Sequence, residues 1–314
     1  VAPDYDMAIM KKGQDLTDVT TAILTGMREI LRKEKPDIVL VHGDTSTAFA
    51  ASLAAFYQQI PVGHVEAGLR TYNMKSPYPE EFNRQAIGLT ASLHFAPTQK
   101  AADALLKEGK NPEQIFITGN TGIDALHYTV RNDFYHPETE WAKGSRLIAV
   151  TAHRRENLGE PMRDMFRAIR RIVEEFTDVK VIYPVHLNPQ VRKIADEEFG
   201  GCERIHLIEP LDVVEFHNLM KASYLIMTDS GGIQEEAPAL GKPVLVMRDT
   251  TERPEGVEAG TLKLVGTKMD DIYRECRLLL TEPETYRKMS EARNPYGDGT
   301  ASIQIRKILE DIDA

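Results

Sequence analysis

The chain has 314 residues, which at roughly 100–200 residues per domain argues for two domains. Its 42% hydrophobic and 27% charged composition is that of a folded globular protein and excludes disorder as the main theme. A formal net charge of −10, with Lys and Arg scattered rather than gathered into stripes, offers a nucleic-acid backbone no docking surface, and no apolar run approaches the ~20 residues that span a bilayer. The two cysteines, Cys202 and Cys276, lie far apart without a CxxC pattern, which fits a reducing cytoplasm better than a disulfide framework. The opening residues carry no signal-peptide pattern.

Short apolar runs alternate with amphipathic stretches of helical length, the mark of βαβ units and parallel sheets. In the first half, strands are predicted at 37–41, 62–65, 93–96 and 115–118, with helices at 47–56 and 99–108. The polar stretch 133–145, with Pro137 and Gly144, reads as a linker. Beyond it, strands are predicted at 147–151, 179–184, 205–208, 225–228 and 243–247, with helices at 162–175, 189–199, 213–221 and 233–240. Two doubly wound, Rossmann-like domains are therefore expected: 1–142, with a helix at 300–314 packing back on it, and 143–299. Residues 1–12 do not read as the strand and glycine loop that usually open such a domain.

In doubly wound folds ligands sit beyond the carboxyl ends of strands, so strand-end residues are the informative ones. The strongest signal is Asp229-Ser230-Gly231-Gly232, which follows an apolar strand and opens a helix. Glycines there let a phosphate approach the backbone, and the Ser230 hydroxyl can cap the helix and donate to an oxygen. Glu236, one turn further in, can accept from a ribose diol. On these residues alone an ordinary Ser-capped helix is equally good. Arg253 follows the next strand, where it can meet a phosphate or form a surface salt bridge. His153-Arg154-Arg155 at the end of the strand 147–151 supplies local positive potential and points to a pyrophosphate, although a lone strand-end histidine is more often structural.

The first half contributes acids. Asp44 stands at a strand end beside a helix start, where capping is the plain alternative. Glu66 ends the next strand, and Glu80 opens a helix whose macrodipole favours acidic residues. Carboxylates gathered at one cleft mouth cost free energy unless they meet cations or hold protons, a cost that acid/base sites accept. There is no HExxH and no His/Cys ligand spacing, so no metal is expected, and the missing GxGxxG counts against a bound NAD.

Taken with their order, His42-Gly43-Asp44-Thr45, His64-Val65-Glu66-Ala67-Gly68-Leu69-Arg70-Thr71, Pro79-Glu80-Glu81 with Asn83-Arg84, Thr151-Ala152-His153-Arg154-Arg155-Glu156, Asp229 to Pro238, Arg248 to Glu255 and Asn294-Pro295-Tyr296-Gly297-Asp298-Gly299 resemble the bacterial non-hydrolysing UDP-N-acetylglucosamine 2-epimerases. The resemblance runs from about Pro3 to the end of the chain. It implies a glycosyltransferase-B-like architecture, two Rossmann-like domains facing a cleft. It also implies interconversion of UDP-N-acetylglucosamine and UDP-N-acetylmannosamine by elimination of UDP, a bound 2-acetamidoglucal and re-addition, as a supply step for teichoic acids or capsules. No cofactor is implied, since UDP itself is leaving group and nucleophile, and a homodimer is expected.

Matched to the family motifs, the catalytic residues fall on Asp44, Glu66, Glu80, Arg84 and His153. The UDP contacts fall on His153, Phe216, Ser230, Gly231, Gly232, Glu236 and Arg253. Some members bind a second UDP-N-acetylglucosamine as an activator at positions matching Glu80, Arg154 and His186; where they carry an arginine, this chain has Gly13. Family members also open with a strand and a Gly-Thr-Arg-Pro-Glu loop that this sequence does not show, a difference of about fifty residues. Residues belonging to that segment are either outside the given sequence or missing from the protein, and in the second case weak or no turnover is expected. The alternatives are a hydrolysing epimerase releasing UDP and N-acetylmannosamine, a glycosyltransferase of the same fold, and an inactive nucleotide-sugar-binding remnant.

Overall fold

In a computed structural model, residues 2–312 are described, and among them ten strands form two fully parallel sheets. The chain divides into two units: one runs to Thr121 and includes the segment from Thr300, and the other is Gly122–Gly299.

The first unit carries a four-stranded sheet in the order β1 (Val39–His42), β2 (Val62–Val65), β3 (Leu93–Ala96) and β4 (Ile115–Ile117). Its helices are α1 (Leu16–Glu34), α2 (Ser46–Tyr57), α3 (Glu80–Thr90) and α4 (Gln99–Lys107). Asp15 starts α1 with a capping box in which its side chain accepts from Asp18 N–H while Asp18 reaches back to the Asp15 N–H. Helix α2 buries a row of alanines, including Ala48, Ala51 and Ala55, and packs between α1 and α3. The terminal helix (Ala301–Ile312) belongs to this unit, with Ile305 buried against Val65 and Phe95.

The second unit begins with α5 (Thr121–Thr129) and α6 (Pro137–Trp141) and carries six strands: β5 (Arg146–Thr151), β6 (Val179–Pro184), β7 (Ile205–Ile208), β8 (Leu225–Thr228), β9 (Val244–Val246) and β10 (Leu262–Leu264). Between them lie α7 (Glu160–Glu175), α8 (Pro189–Phe199), α9 (Val213–Ala222), α10 (Ile233–Ala239) and α11 (Pro254–Ala259), followed by α12 (Met269–Thr281) and α13 (Pro283–Ser290). Amphipathic α7 buries Met162, Met165, Phe166, Ile169, Ile172 and Val173 on one face of the sheet, each such side chain contributing about 1.5–3 kcal/mol. The strand order is β10-β9-β8-β5-β6-β7, so the order reverses between β5 and β8. That reversal is the topological switch point where open α/β sheets hold ligands.

The division between units falls at Thr121/Gly122, not at residue 142, and 133–145 is not a free linker. Both differences have one cause, which is that 122–142 is packed against the second unit. Asn218 donates to the Thr129 carbonyl at 2.7 Å, Trp141 stacks on His206 at 3.5 Å, and Ala142 is buried in that unit's core. Of the polar residues that suggested a linker, Asp133, Glu140 and Lys143 are exposed, while Glu138 pairs with His206. Residues 1 and 313–314, the ends of the ranges expected from sequence, lie outside the described residues.

Candidate active site

In the first unit, β1 and β2 pair in register, His42 opposite Val65, so Gly43-Asp44 and Glu66 leave neighbouring strands at one level. The helix cap here is Thr45, whose hydroxyl accepts from the Ala48 N–H at 3.1 Å, which leaves the Asp44 carboxylate for other work. Asp44 is ion-paired to the buried guanidinium of Arg84, and its carbonyl accepts from Asn83 Nδ2 at 2.8 Å. Both partners come from α3, which thereby aligns the strand end. Glu66 adopts φ +64, a left-handed conformation rare for a side chain of its size. Its Oε1 accepts from Asn120 Nδ2 at 3.1 Å, and its Oε2 lies over Gly43, where an added Cβ would stand 2.9 Å away.

Glu80 and Glu81 are adjacent yet do opposite things. Glu80, the first residue of α3, is half-buried and has no hydrogen-bond or ion-pair partner among the described residues. Glu81 is fully buried and accepts from the Thr71 N–H at 2.9 Å, the Tyr72 N–H at 3.0 Å and Gln85 Nε2 at 2.9 Å. It therefore ties the loop that leads into α3. Beneath the acids, His64 is wholly buried with Nε2 2.8 Å from the Gly43 carbonyl, and burial pushes its pKa down to about 3. The ring is neutral and donates to that carbonyl.

In the second unit the turns after β5 and β8 meet at the switch point, with Thr151 and Thr228 in register and their hydroxyls 2.6 Å apart. Asp229, fully buried, accepts from the His153 N–H, from the Arg154 N–H at 2.9 Å and from Asn157 Nδ2 at 3.2 Å. Its carbonyl takes Arg154 Nε at 2.9 Å. The His153 ring stacks on the exposed His186 ring at 5.4 Å, and burial lowers its pKa more than Asp229 raises it. Ser230 does not cap α10, contrary to the sequence expectation. The cap position is Gly232 without a side-chain cap, and the Ser230 N–H instead donates to Thr228 Oγ1 at 2.9 Å. Gly231 is hemmed in by protein: a Cβ there would stand 2.6 Å from Arg253 Nη1 and 2.8 Å from Glu252 Oε1.

Arg253 is not on the surface. Its guanidinium is buried between Glu235 and Glu252, its carbonyl accepts from the Tyr296 hydroxyl at 3.0 Å, and that hydroxyl accepts from the Gly256 N–H at 3.0 Å. Arg248, also buried, pairs with Glu252 at 3.1 Å, and its burial lowers its pKa. Glu236 on α10 faces His217 on α9, and Phe216 beside it is half-buried against the core.

The structure thus brings Asp44 to Arg84, sets Glu66 on the neighbouring strand end and Glu80 at the start of α3, and gathers His153, Arg154 and His186 with Asp229 and the Ser230–Gly232 turn. Sequence reasoning assigned no role to Asn120, Glu81, Asp229, Glu235 or Glu252, all of them buried groups that hold the named residues. Glu81, Asp229, Glu235 and Glu252 lie within the motifs that carry the family resemblance, whereas Asn120 lies in none of them. Among the described residues no cluster of His, Cys, Asp and Glu is arranged to hold a metal ion, and no helix is long and apolar enough to cross a membrane.

Two parallel-stranded units with charged side chains at the carboxyl strand ends define an α/β enzyme of the nucleotide-binding, doubly wound class. The model of the UDP-N-acetylglucosamine 2-epimerase family matches residues 1–310. The UDP-N-acetylglucosamine 2-epimerase of Bacillus subtilis (strain 168) is 61% identical over 312 residues, covering 99% of this chain and 81% of its own length. A structure of UDP-GlcNAc 2-epimerase from Neisseria meningitidis bound to UDP-GlcNAc superposes with a TM-score of 0.95 at 47% identity, covering 99% of this chain and 86% of that one. The S. aureus MnaA–UDP structure gives 0.95 at 52% identity, covering 99% and 83%. The chain belongs to the UDP-N-acetylglucosamine 2-epimerase family, a family of isomerases whose architecture it shares.

Proposed function

We propose that this chain interconverts UDP-N-acetylglucosamine and UDP-N-acetylmannosamine, without net hydrolysis, by elimination and re-addition of UDP. A carboxylate takes the C2 proton, the C1–O bond breaks, and UDP departs with the bonding electrons to leave a bound 2-acetamidoglucal. An oxygen of UDP then adds back to C1 while a second acid delivers a proton to the opposite face of C2. The C2 proton is weakly acidic, so its removal must be coupled to an anionic leaving group stabilised by fixed donors. The sequence is redox-neutral and calls for no further cofactor.

The observation that carries this reading is the pair of carboxylates, Asp44 and Glu66, on adjacent strand ends of the first unit, one paired to Arg84 and the other held by Asn120. Inverting C2 needs an acceptor on one face and a donor on the other, which a single acid does not supply. Glu80 is the third acid of this set. On the second unit, His153, Ser230, Gly231, Gly232 and Arg253 are assigned to the diphosphate, Glu236 to the ribose and Phe216 to the uracil. The switch-point position of these residues supports that assignment, as do the relatives seen with UDP and UDP-GlcNAc. A homodimer is part of the same reading, in keeping with the exposed Phe56 and Tyr57 of the first unit.

Incubation with UDP-N-acetylglucosamine, followed by proton NMR of the anomeric region, tests the proposal. The expected outcome is growth of the UDP-N-acetylmannosamine signal to a steady ratio with the substrate. Release of free N-acetylmannosamine with stoichiometric UDP would assign the hydrolysing reaction instead.

A further inference from the structure

His217 is a buried imidazole that the account so far leaves unused. It sits on α9 with 3% of its surface exposed, and both of its ring nitrogens face polar side chains. Nδ1 is 2.7 Å from the Thr129 hydroxyl, and Nε2 is 3.5 Å from Glu236 Oε2. The arrangement is braced from its neighbour: Asn218 donates to the Thr129 carbonyl at 2.7 Å and accepts from the Arg131 N–H at 2.9 Å. The end of α5 is thereby fixed to α9, and the ring is fixed between α5 and α10.

The protons can be counted. The Thr129 hydroxyl has one hydrogen and two acceptors in reach, the Ala125 carbonyl at 2.9 Å and His217 Nδ1. If it serves the carbonyl, Nδ1 carries a hydrogen and donates to Thr129. If it serves Nδ1, the ring is neutral with its hydrogen on Nε2. In the second arrangement Nε2–H points toward Glu236 Oε2 at 3.5 Å, an ion-pair contact longer than a hydrogen bond. The other oxygen, Oε1, lies toward Gly232 at the start of α10, 3.7 Å from where a Cβ would stand. One carboxylate oxygen faces the His217 ring and the other is presented at the turn.

We infer that His217, backed by Thr129, is a positioning residue that aims the Glu236 carboxylate at the vicinal diol of a bound nucleotide's ribose, and so sets the preference for ribo- over deoxyribonucleotides. This rests on the reading of Glu236 as the ribose-binding carboxylate. A free glutamate side chain has three rotors and loses their entropy on binding; one already drawn toward the His217 ring through Oε2 accepts from a hydroxyl with less loss. Hydrogen bonds to a charged acceptor discriminate strongly, so wild-type protein should bind UDP over 2′-deoxy-UDP by on the order of ten- to a hundredfold.

The experiment is calorimetric titration of the full chain with UDP and with 2′-deoxy-UDP, for wild type and for Glu236→Gln, His217→Phe and Thr129→Val. The readout is the ratio of the two dissociation constants, which loss of packing alone would leave unchanged because it weakens both ligands together. The expected result is a ratio lowered at least fivefold in His217→Phe and Glu236→Gln and partly lowered in Thr129→Val, which keeps the ring if His217→Phe does not fold. A ratio lowered by Glu236→Gln but unchanged in both other variants overturns the role of His217 while Glu236 keeps its own. A ratio unchanged by Glu236→Gln overturns the ribose assignment, and the inference with it.

Discussion

The backbone N–H of His153 donates to both carboxylate oxygens of Asp229, at 3.1 and 3.0 Å, and the Asp229 side chain is fully buried. The turn that carries His153 and Arg154 therefore hangs on one carboxylate from the neighbouring strand end. Removing it strands two backbone donors and the Asn157 amide, each costing about 1–3 kcal/mol when left unsatisfied. Asp229→Ala should lower stability to urea by about 2–4 kcal/mol and weaken UDP binding, because the turn loses its anchor. Asp229→Asn, which keeps one acceptor, should lose less of both. Unchanged stability and UDP affinity in Asp229→Ala would show that the turn holds itself.

Gly43 has φ +69, and a Cβ at this position would crowd Glu66 Oε2 at 2.9 Å. Gly43→Ala should therefore displace the Glu66 carboxylate as well as strain the turn, with a stability loss of about 1–2 kcal/mol. Epimerisation should fall by more than tenfold, while UDP affinity, assigned to the other unit, stays within about twofold. A variant with full turnover would mean that the position of Glu66 is not critical to the chemistry.

Arg253 pairs with Glu235 and Glu252, and all three are nearly excluded from solvent. Truncating the cation leaves two buried carboxylates without it, a change that typically costs about 3–5 kcal/mol. Arg253→Ala should thus reduce stability as well as UDP affinity, and the two losses should be separable by combining it with Glu252→Gln, which restores part of the stability but none of the affinity. Recovery of UDP binding in the double variant would remove Arg253 from the phosphate contacts.

Acid stability should carry the signature of two buried imidazoles. Burial holds the pKa of His64 at about 3 and that of His94 at about 4, against an ordinary 6.5. Below pH 6.5 the unfolded chain binds a proton at each ring while the folded chain does not, so this contribution is complete above pH 6.5 and is lost as pH falls. Between pH 6.5 and about 4 each ring removes about 1.4 kcal/mol per pH unit, and below that only His64 continues, to about pH 3. His64→Gln should flatten the urea midpoint against pH between 5 and 6.5; an unchanged slope would mean that His64 is protonated in the folded protein.

Much of the sheet framework was legible because parallel strands buried on both faces read as short apolar runs. Residues 62–65, 93–96, 179–184, 205–208 and 225–228 coincide with β2, β3, β6, β7 and β8. Strand β10, Leu262–Leu264, does not stand out because the exposed Lys263 interrupts its apolar run. The packing of the strap at 122–142 is not legible because its anchors, His206 and Asn218, lie far along the chain. Within the site, strand-end position pointed to Asp44, Glu66 and His153, but not to the buried partners that hold them. Glu80 and Glu81 are alike in sequence, and only their place on the first turn of α3 buries one and leaves the other half-open. Likewise the burial of Arg253 is not legible, because its partner Glu235 is eighteen residues away.

Removal of the C2 proton by a carboxylate of the first unit as UDP departs is the step on which the proposed epimerisation depends. It is tested most directly by proton NMR of UDP-N-acetylglucosamine incubated with the protein in deuterated water, following the C2 proton of both isomers. Deuterium is expected at C2 of the UDP-N-acetylmannosamine formed, with loss of that incorporation in Asp44→Asn and Glu66→Gln variants that still bind UDP. Formation of the manno isomer with its C2 proton retained from substrate would contradict it.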